Sequence, residues 1–592
     1  MPGLRHRTNA LSVLVLVPAR GGSKAVPGKN LRLVGGLSLT ARAVLHGRLF
    51  LIDARLADGL VVVDTDDTVI ADEGRRFGAE APFLRPPELA RDETPTIDSV
   101  LHCLDRLQAA GRTFETIVLL QPTSPLRTSA DITACWRTFD PAQAPSVVAV
   151  TPIEHPLELA VGLDRDNVLS GESPTVRRRQ EFTPSFRITG AAYVTTFNVL
   201  RNRRAFVVHG LTRGVVVPSE RSLDIDTAAD LEAADALLRG GPIPAGLAIG
   251  GRQLGGGARC YVIAEAGVNH NGDPSLAHRL VDVAADAGAD AVKFQTFIPE
   301  QLAAPHAKQA AYQTENTGFE DSQLAMLRRL VLPRDVYPAL KDHAEDRGIA
   351  FLSTPFDEAS ADFLESLGIA AFKISSGELT NLPFITHVAR KGRPMLLSSG
   401  MGTMAEVAEA VLAVRHASDV PLALFHCVTN YPATPEQCNL GAMASMRSAF
   451  HVPVGWSDHT SGIDVSTAAV ALGADVLEKH FTLDRGLAGP DHKASLEPKE
   501  LSALLRSVRA VEAARGTGVK APVAVENDLA TKVRKSLHAR WALAAGHTLA
   551  AEDVIALRPG DGLSPAALQR LLGRRLRAAV AAGAQLDERD FA

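Results

Sequence analysis

Two histidines in the second half of the chain have the setting of metal ligands. His459 follows the apolar run in VPVGWSDHT, and His480 follows the one in DVLEKHFTL. Two imidazoles on adjacent strands can hold one divalent ion, with water and substrate in the remaining positions. A lone histidine is more often structural, but each of these stands in polar surroundings at the end of a strand-like run. The pair is therefore interpreted as a metal site.

Lysines and serines at the ends of other apolar runs indicate an anion site. Lys293 and Lys373 lie at such positions, together with Ser376 and Ser398. Ammonium groups and hydroxyls donate hydrogen bonds that suit a small phosphorylated anion. These residues predict a cationic, hydroxyl-rich rim that binds a phosphate-bearing substrate.

A second constellation lies near the N-terminus, in the loop PARGGSKAVPGKN (18–30). Its glycines let backbone N–H groups approach phosphate oxygens, while Arg20, Lys24 and Lys29 supply positive charge. Lys24 and Lys29 are the only two lysines in the first 292 residues. The loop is neither a Walker loop nor a dinucleotide-binding fingerprint, and it predicts binding of a phosphorylated ligand.

Two carboxylates further along suit a magnesium ion beside that ligand. Asp224 and Asp226 in SLDIDT have strand spacing and so lie on the same side. Mg²⁺ takes one or two carboxylates together with phosphate oxygens and waters. The alternative is a solvated turn whose side chains cap the following helix.

The first 240 residues alternate short apolar runs with helical patterns. The strand candidates are 13–17, 60–64, 116–121 and 146–151, and a helical stretch covers 96–110. This alternation predicts an α/β domain with a parallel sheet and helices on both faces. The Gly-rich loop directly follows the first strand.

A second series of eight strand-like runs occupies about 250 residues from position 261, and helical patterns separate most of the runs. This number of strands over this length is typical of a (β/α)₈ barrel. Such a barrel has its active site at the carboxyl ends of its strands. The chemically active residues stand at those ends here, so pattern and chemistry agree. An open doubly wound sheet is the alternative.

The patterns divide the chain into three domains. We expect a sheet domain over 1–240, a Gly- and Pro-rich linker over 241–257, the barrel over 258–520 and a small β-rich module over 527–592.

Composition excludes several classes of protein. A net charge of −5, from 62 basic and 67 acidic residues, disfavours a nucleic-acid or membrane-surface binder. The five cysteines lack metal-type spacing, and no apolar stretch reaches the roughly 20 residues that span a bilayer. We expect a soluble cytoplasmic protein.

The N-terminal motifs resemble those of the CMP-sialic acid synthetases, the acylneuraminate cytidylyltransferases, over nearly all of 12–238. The motifs are PARGGSKAVPGKN, FGAEAPFLRPPELARDETPT, LLQPTSPLR, FRITGAAYV and SLDIDTAADL. The resemblance implies a Rossmann-like nucleotidyltransferase sheet and Mg²⁺ or Mn²⁺ at Asp224 and Asp226. It also implies catalytic roles for Arg20 and Lys29. The residues implied to bind CTP or the sugar acid are Ser23, Lys24, Asn30, Arg85, Gln121, Arg179, Gln180 and Arg187.

The barrel motifs resemble the N-acetylneuraminate synthase family, and RKSLHAR…LRPGDGL resembles its C-terminal antifreeze-like (SAF) domain. The motifs include AEAGVNHNGD, VKFQTF, FKISSGE, HCVTNYPATP, GWSDHT and GPDHKASLEP. The family joins phosphoenolpyruvate to N-acetylmannosamine or a related 6-deoxy sugar. The resemblance implies Mn²⁺, or Mg²⁺ or Co²⁺, at His459 and His480.

The family's other site residues are carried over in the same way. Catalytic roles are implied for Glu265, Lys293, Lys373 and Asp491. Substrate contacts are implied for Gln295, Asn316, Thr354, Ser376, Glu378, Ser398, Tyr431 and Arg558. Arg558 would reach the barrel of the partner subunit in a domain-swapped homodimer.

Together the two halves predict a bifunctional enzyme. The barrel would condense phosphoenolpyruvate with N-acetylmannosamine, and the N-terminal domain would activate the resulting N-acetylneuraminate with CTP. The alternatives are the same two reactions on legionaminic acid precursors, or one degenerate half that acts as a scaffold. Small molecules are the expected substrates, with no nucleic-acid or membrane partner.

Overall fold

The computed structural model describes residues 12–153, 162–166, 168–170, 184–241, 243–310, 313–314 and 322–592. The chain divides into two compact units, one that ends at Ala514 and one that spans Arg515–Ala592. The first unit contains both a sheet domain and a closed barrel.

The sheet domain is built on six strands in the order β10-β6-β9-β5-β1-β4. Four further short strands form two small hairpins, β2–β3 and β7–β8. The strands are β1 (Val13–Pro18), β2 (Leu33–Val34), β3 (Leu37–Ser38), β4 (Leu60–Asp64), β5 (Thr116–Leu119), β6 (Ser146–Pro152), β7 (Gly162–Leu163), β8 (Leu169–Ser170), β9 (Phe186–Thr196) and β10 (Thr212–Val216).

The predicted α/β sheet is present, but the expectation that it is purely parallel is wrong. β9 runs antiparallel to both β5 and β6. Its first residue pairs with the last residue of β6, so the chain returns along β6 from its carboxyl end. Parallel neighbours need a crossover, whereas this return places β9 antiparallel.

Six helices accompany the sheet in the described part of this domain. They are α1 (Leu39–Asp53), α2 (Thr68–Arg76), α3 (Thr96–Ala109), α4 (Ser129–Thr138), α5 (Phe197–Arg203) and α6 (Ala228–Arg239). The apolar residues of β1 alternate between two buried clusters, because successive strand side chains point to opposite faces and each face is covered.

Eight parallel strands close into the predicted barrel, which rules out the open sheet. They are β13 (Tyr261–Gly267), β14 (Ala291–Thr296), β15 (Ala350–Pro355), β16 (Phe372–Ile374), β17 (Met395–Ser398), β18 (Leu422–Cys427), β19 (Val454–Asp458) and β20 (Val476–His480). Residues 247–254 of the predicted linker form a hairpin of β11 (Leu247–Ile249) and β12 (Arg252–Leu254). Its apolar side chains pack among the first residues of the barrel strands.

Helices surround the barrel and complete the first unit. They are α7 (Pro274–Ala287), α8 (Pro299–Leu302), α9 (Gln323–Leu330), α10 (Tyr337–Asp346), α11 (Glu358–Ser366), α12 (Leu382–Ala389), α13 (Met404–Ala417), α14 (Ala442–Phe450), α15 (Asp464–Ala471) and α16 (Pro498–Arg515). None of the helices in the described ranges is long and apolar enough to cross a bilayer.

The C-terminal unit is small and has its own apolar core around Leu537 and Phe591. It contains α17 (Ala524–Val533), the antiparallel strands β21 (Ser536–Ala539) and β22 (Val554–Leu557), and α18 (Leu568–Leu571). The short helix expected near 565–572 is present as a 3₁₀ turn followed by α18.

Candidate active sites in the barrel and the sheet domain

The structure brings the two predicted metal-binding histidines together. β19 and β20 are neighbours in the barrel, and His459 follows the first of them while His480 ends the second. Their ring centroids lie 5.6 Å apart. The ring of Tyr431 lies 4.1 Å from that of His459 and 5.9 Å from that of His480. These distances place all three side chains at one point of the carboxyl rim.

Both histidines are held neutral, as metal ligands must be. Burial lowers the pKa of His459 to about 4, and burial lowers that of His480 far below its usual value. His459 Nδ1 lies 2.6 Å from the Val428 carbonyl, which fixes Nδ1 as the donor and leaves the Nε2 lone pair available. His480 Nδ1 is buried and has no hydrogen-bond partner.

This donor set fits a divalent ion. Within the part of the chain that the structure describes, no group of three or more His, Cys, Asp or Glu side chains could hold a metal. The protein would supply the imidazoles of His459 and His480, and water and substrate would fill the other positions. Such an open coordination sphere is typical of a catalytic site rather than a structural one.

Two buried glutamates and two buried lysines alternate across the barrel. Lys293 Nζ lies 2.6 Å from Glu265 Oε2 and 3.7 Å from Glu478 Oε2, and Lys373 Nζ lies 3.1 Å from Glu478 Oε1. All four side chains are at most 5% exposed. Charges this deeply buried persist only when paired. The predicted anion-binding lysines are thus positioned by carboxylates from β13 and β20.

The surroundings of Glu265 and Glu478 shift the pKa values of these two carboxylates in opposite directions. Burial raises the pKa of Glu265, and Lys293 offsets only part of that effect. Burial also opposes the ionisation of Glu478, but Lys293 and Lys373 outweigh it and lower the pKa of Glu478. Because their pKa values are shifted in opposite directions, Glu265 can hold a proton while Glu478 stays charged.

The other predicted anion ligands lie at or directly after the carboxyl ends of β15, β16 and β17. Lys293 Nζ donates to Thr354 Oγ1 at 2.8 Å, and Ser376 Oγ accepts from the backbone N–H of Gly400 at 3.0 Å. Ser398 Oγ is buried without a partner. A buried, unsatisfied hydroxyl at the carboxyl end of a barrel strand is suited to a bound anion, because an unpaired polar group costs free energy.

The remaining predicted barrel residues lie near the same rim. Gln295 Nε2 lies 3.5 Å from Glu265 Oε1. Glu378 belongs to the 3₁₀ turn after β16 and accepts from Asn381 at 2.7 Å. Burial raises the pKa of Asp491 to about 6.

Glu478 has a role that the sequence analysis missed. It is the shared partner of two lysines, and Ser457 Oγ donates to its Oε1 at 2.9 Å. The available signal was its spacing: Glu478 stands two residues before His480 on one strand, so both side chains point to the same face.

The second candidate site is a cavity of about 410 Å³ at the carboxyl end of β1 in the sheet domain. Its lining includes the predicted residues Arg20, Ser23, Lys29, Asn30, Arg85, Gln121 and Asp226. The structure therefore collects residues from separate predicted motifs into one place.

Hydrogen bonds join the Gly-rich loop to the acidic motif. Lys29 Nζ donates to the Ile225 carbonyl at 2.7 Å and lies 3.8 Å from Asp226 Oδ1. Asn30 Nδ2 donates to the Arg20 carbonyl at 2.8 Å, which fixes the loop from within. Ser124 Oγ lies 3.4 Å from Asp224 Oδ1. Asp226 is thus held beside the loop with its side chain 81% exposed, whereas Asp224 contacts Ser124 and is not part of the cavity lining.

This carboxylate pair fits a magnesium ion that also binds a phosphorylated ligand. Mg²⁺ needs only one or two protein carboxylates, because waters and phosphate oxygens supply the rest. The exposed Asp226 carboxylate has room for such ligands at the cavity wall.

Asp92 is a second residue that the sequence analysis missed. Its carboxylate lies 2.7 Å from both Arg20 Nη1 and Lys24 Nζ, at the cavity. Lys24 lowers the pKa of Asp92, so this carboxylate is charged. Asp92 stands in the quoted stretch that ends in ARDETPT, but only the fold shows that it faces the loop.

Two other predicted contacts are fixed by neighbours in the sheet. Arg85 Nη2 lies 2.7 Å from Asp64 Oδ2, and both side chains are at most 5% exposed. Arg187 donates to the carbonyl and the hydroxyl of Ser222 at 2.8 and 3.0 Å. Arg179, Gln180 and Asn316 lie outside the described residues. Arg558 lies in the C-terminal unit.

Comparison with known proteins places three families along the chain. Residues 14–203 match the cytidylyltransferase family, 280–520 match the NeuB family and 534–592 match the SAF domain. This order agrees with the resemblances found in the sequence.

Curated relatives match slightly more than half of the chain, and three of them illustrate the similarity. The N,N'-diacetyllegionaminic acid synthases of Campylobacter jejuni and Legionella pneumophila are 46% and 44% identical over 318 and 340 residues. These alignments cover 53% and 57% of this chain and 95% of each relative. Human N-acetylneuraminate-9-phosphate synthase is 37% identical over 55% of this chain and 91% of its own. The chain belongs to the NeuB family, with a cytidylyltransferase domain before its barrel and a SAF domain after it.

Proposed function

We propose that the protein makes a nine-carbon 2-keto sugar acid in its barrel and activates it as a CMP ester in its sheet domain. The observation that carries the proposal is that two neutral histidines and two buried lysines meet at one end of the barrel. A metal-binding pair beside an anion-binding pair suits one carbonyl substrate and one phosphorylated substrate.

In the barrel, Lys293 and Lys373 bind the charged groups of phosphoenolpyruvate, with Thr354, Ser376 and Ser398 as hydroxyl donors. A divalent ion held by His459 and His480, Mn²⁺ in our proposal, supplies polarisation of the sugar aldehyde. Carbon 3 of phosphoenolpyruvate then attacks the aldehyde carbon, water adds at carbon 2, and phosphate leaves by C–O cleavage. Glu265 and Asp491 position the sugar and this water, and the raised pKa of Glu265 suits it to hold a proton.

In the sheet domain, Arg20, Lys24 and Lys29 bind the triphosphate of CTP, and Asp224 and Asp226 hold Mg²⁺. The C2 hydroxyl of the sugar acid attacks the α-phosphorus, and pyrophosphate leaves. The product of the barrel is the substrate of the sheet domain, which gives the fusion a chemical rationale.

The sugar has two candidates. The sequence analysis favours N-acetylmannosamine, which would give N-acetylneuraminate. The two legionaminic acid synthases are more similar to this barrel, at 46% and 44% identity, than the 37% identical human sialic acid phosphate synthase. That difference favours the legionaminic acid series, whose precursor is 2,4-diacetamido-2,4,6-trideoxymannose.

The assembly is proposed to be a homodimer in which Arg558 of the C-terminal unit reaches the partner's barrel. We place it in a reducing cytoplasm, since all five cysteines are free and buried.

Product mass tests the proposal. The protein is given phosphoenolpyruvate, CTP, Mg²⁺, Mn²⁺ and equal amounts of the two amino sugars. A CMP-legionaminate mass or a CMP-N-acetylneuraminate mass would support both reactions and identify the sugar. A free acid without its CMP ester would contradict the sheet-domain assignment, and absence of both acids would contradict the barrel assignment.

A further inference from the structure

The sheet domain and the barrel of the first unit meet across a tightly fitted surface. On the sheet side it consists of α1, α6 and the turn between β2 and β3; on the barrel side it consists of α13 and α14. We call these the docking turn (33–38) and the docking face (α13–α14). One continuous apolar cluster contains buried residues of both, including Leu45 of α1 and Met443 of α14.

The docking turn fits the docking face only because it contains two glycines. A Cβ on Gly35 would lie 2.3 Å from Ser448 Oγ, and one on Gly36 would lie 2.3 Å from Ser445 Cβ. Both glycines have positive φ, +56° and +79°, which other residues rarely adopt. The backbone of one domain therefore lies directly against a helix of the other, as in the interior of a single domain.

A buried guanidinium bonds the two domains together. Arg42 of α1 is 1% exposed. It donates to the Val34 carbonyl at 2.7 Å, within its own domain, and to the Ser448 carbonyl at 3.3 Å in the barrel. Removing α14 would expose one side of this charge and leave donors unpaired.

An ion pair marks the edge of the surface. Arg48 of α1 pairs with Glu409 of α13, and its Nη2 lies 3.0 Å from Glu409 Oε2. Apolar packing, a buried charge and a bidentate pair at the edge together resemble the core and rim of a specific interface.

We propose that the docking face is a binding site for the cytidylyltransferase domain that holds the two domains together without the peptide connection. At the start of the connection, the described residues Gly240 and Gly241 are exposed, and Ile243 is 68% exposed. The partner of the docking face is thus the protein's own N-terminal domain, recognised through Arg42 and the two-glycine turn. This inference concerns assembly and does not depend on which sugar is used.

The test cuts the full-length protein between the two domains. A protease recognition sequence is inserted between Gly240 and Gly241, and the cleaved protein is analysed by size-exclusion chromatography with mass detection at decreasing concentrations. We expect the two pieces to elute as one complex. Separation of the cleaved wild-type pieces at micromolar concentration would overturn the proposal.

A matched pair of substitutions makes the test specific. Ser445→Arg places a long side chain against Gly36, whereas Ala468→Arg places the same side chain on the exposed surface of α15. Ser445→Arg should weaken the cleaved complex about tenfold or more, and Ala468→Arg should leave it unchanged. Circular dichroism of the uncut variants shows whether each folds. Equal dissociation of both variants would also overturn the proposal.

Discussion

Glu478 serves two lysines at once: its Oε1 lies 3.1 Å from Lys373 Nζ, and its Oε2 lies 3.7 Å from Lys293 Nζ. The three residues come from three separate strands of the barrel. A carboxylate in this position offsets the repulsion between two buried ammonium groups before any substrate arrives.

Substitution of Glu478 should therefore destabilise the barrel. Glu478→Gln keeps the shape but leaves Lys373 buried without its carboxylate, which costs about 3 kcal/mol of unfolding free energy. Ser457→Ala is the control, since it removes only a hydroxyl donor to the same carboxylate and costs about 1 kcal/mol. Urea titration compares the two. Equal losses would contradict the role assigned to the charge.

Replacement of either metal-binding histidine should abolish only one of the two activities, the synthase reaction of the barrel. His459→Ala and His480→Ala should each lower the bound Mn²⁺, measured by mass spectrometry of the dialysed protein, and abolish the synthase reaction. CMP transfer to a supplied sugar acid should be unaffected, because the sheet domain has its own site. The exposed His306→Ala is the control. Full metal content in His480→Ala would show that the pair is not the site.

The free energy of unfolding should fall at acidic pH because of His46, a buried histidine of α1. His46 is 2% exposed, neither ring nitrogen has a hydrogen-bond partner, and burial together with Arg42 and Arg127 lowers its pKa far below 6.5. Below pH 6.5 the unfolded chain binds a proton there and the folded chain does not. The unfolding free energy therefore falls as the pH drops, by about 1.4 kcal/mol per pH unit for this group.

His46→Leu should remove that part of the acid sensitivity. We expect a shallower decline in the urea midpoint between pH 6.5 and 5 than in the wild type, with little change at pH 7.5. The exposed His306→Leu should decline like the wild type. Parallel declines for wild type and His46→Leu would mean that His46 takes up a proton in the folded state.

Asp92 should compete with the nucleotide for two cations. Its carboxylate pairs with Arg20 and Lys24, which we expect to bind the triphosphate. Asp92→Asn should lower the KM for CTP about two- to fivefold, the range expected for loss of a surface ion pair. Asp72→Asn, which removes the surface pair with Arg75, should leave KM unchanged. A higher KM in Asp92→Asn would instead make Asp92 a ligand of the nucleotide or its metal.

The local features of both domains could be predicted from the sequence, because they follow from short-range patterns. Apolar runs ending in polar residues give the barrel strands, and the spacing of the last two runs gives the histidine pair. The reversed direction of β9 could not be predicted, since a strand's pattern of buried residues is the same in either direction.

Contacts between distant parts of the chain could not be predicted from the sequence, for a different reason. Lys373 and Glu478 are 105 residues apart, and Arg42 and Ser448 are 406 residues apart. The residues around one member of such a pair do not indicate which residue is the other member. A contact fixes the distance between two residues in space but not their spacing in the sequence. Glu478 and Asp92 stand within continuous motifs, but their ion-pair partners come from other parts of the chain, so their contacts follow only from the fold.

The position of the β11–β12 hairpin determines from which end of the barrel the site can be reached. Leu247, Ile249 and Leu254 fill the amino end, where they pack with the first residues of the strands. The amino end of the barrel is therefore closed by apolar packing, and the site residues lie at the opposite, carboxyl end. In the proposed synthase reaction, substrates and products would therefore exchange through the carboxyl rim, and release of one product would compete with entry of the next substrate. Any group that covers this rim governs loading and unloading together.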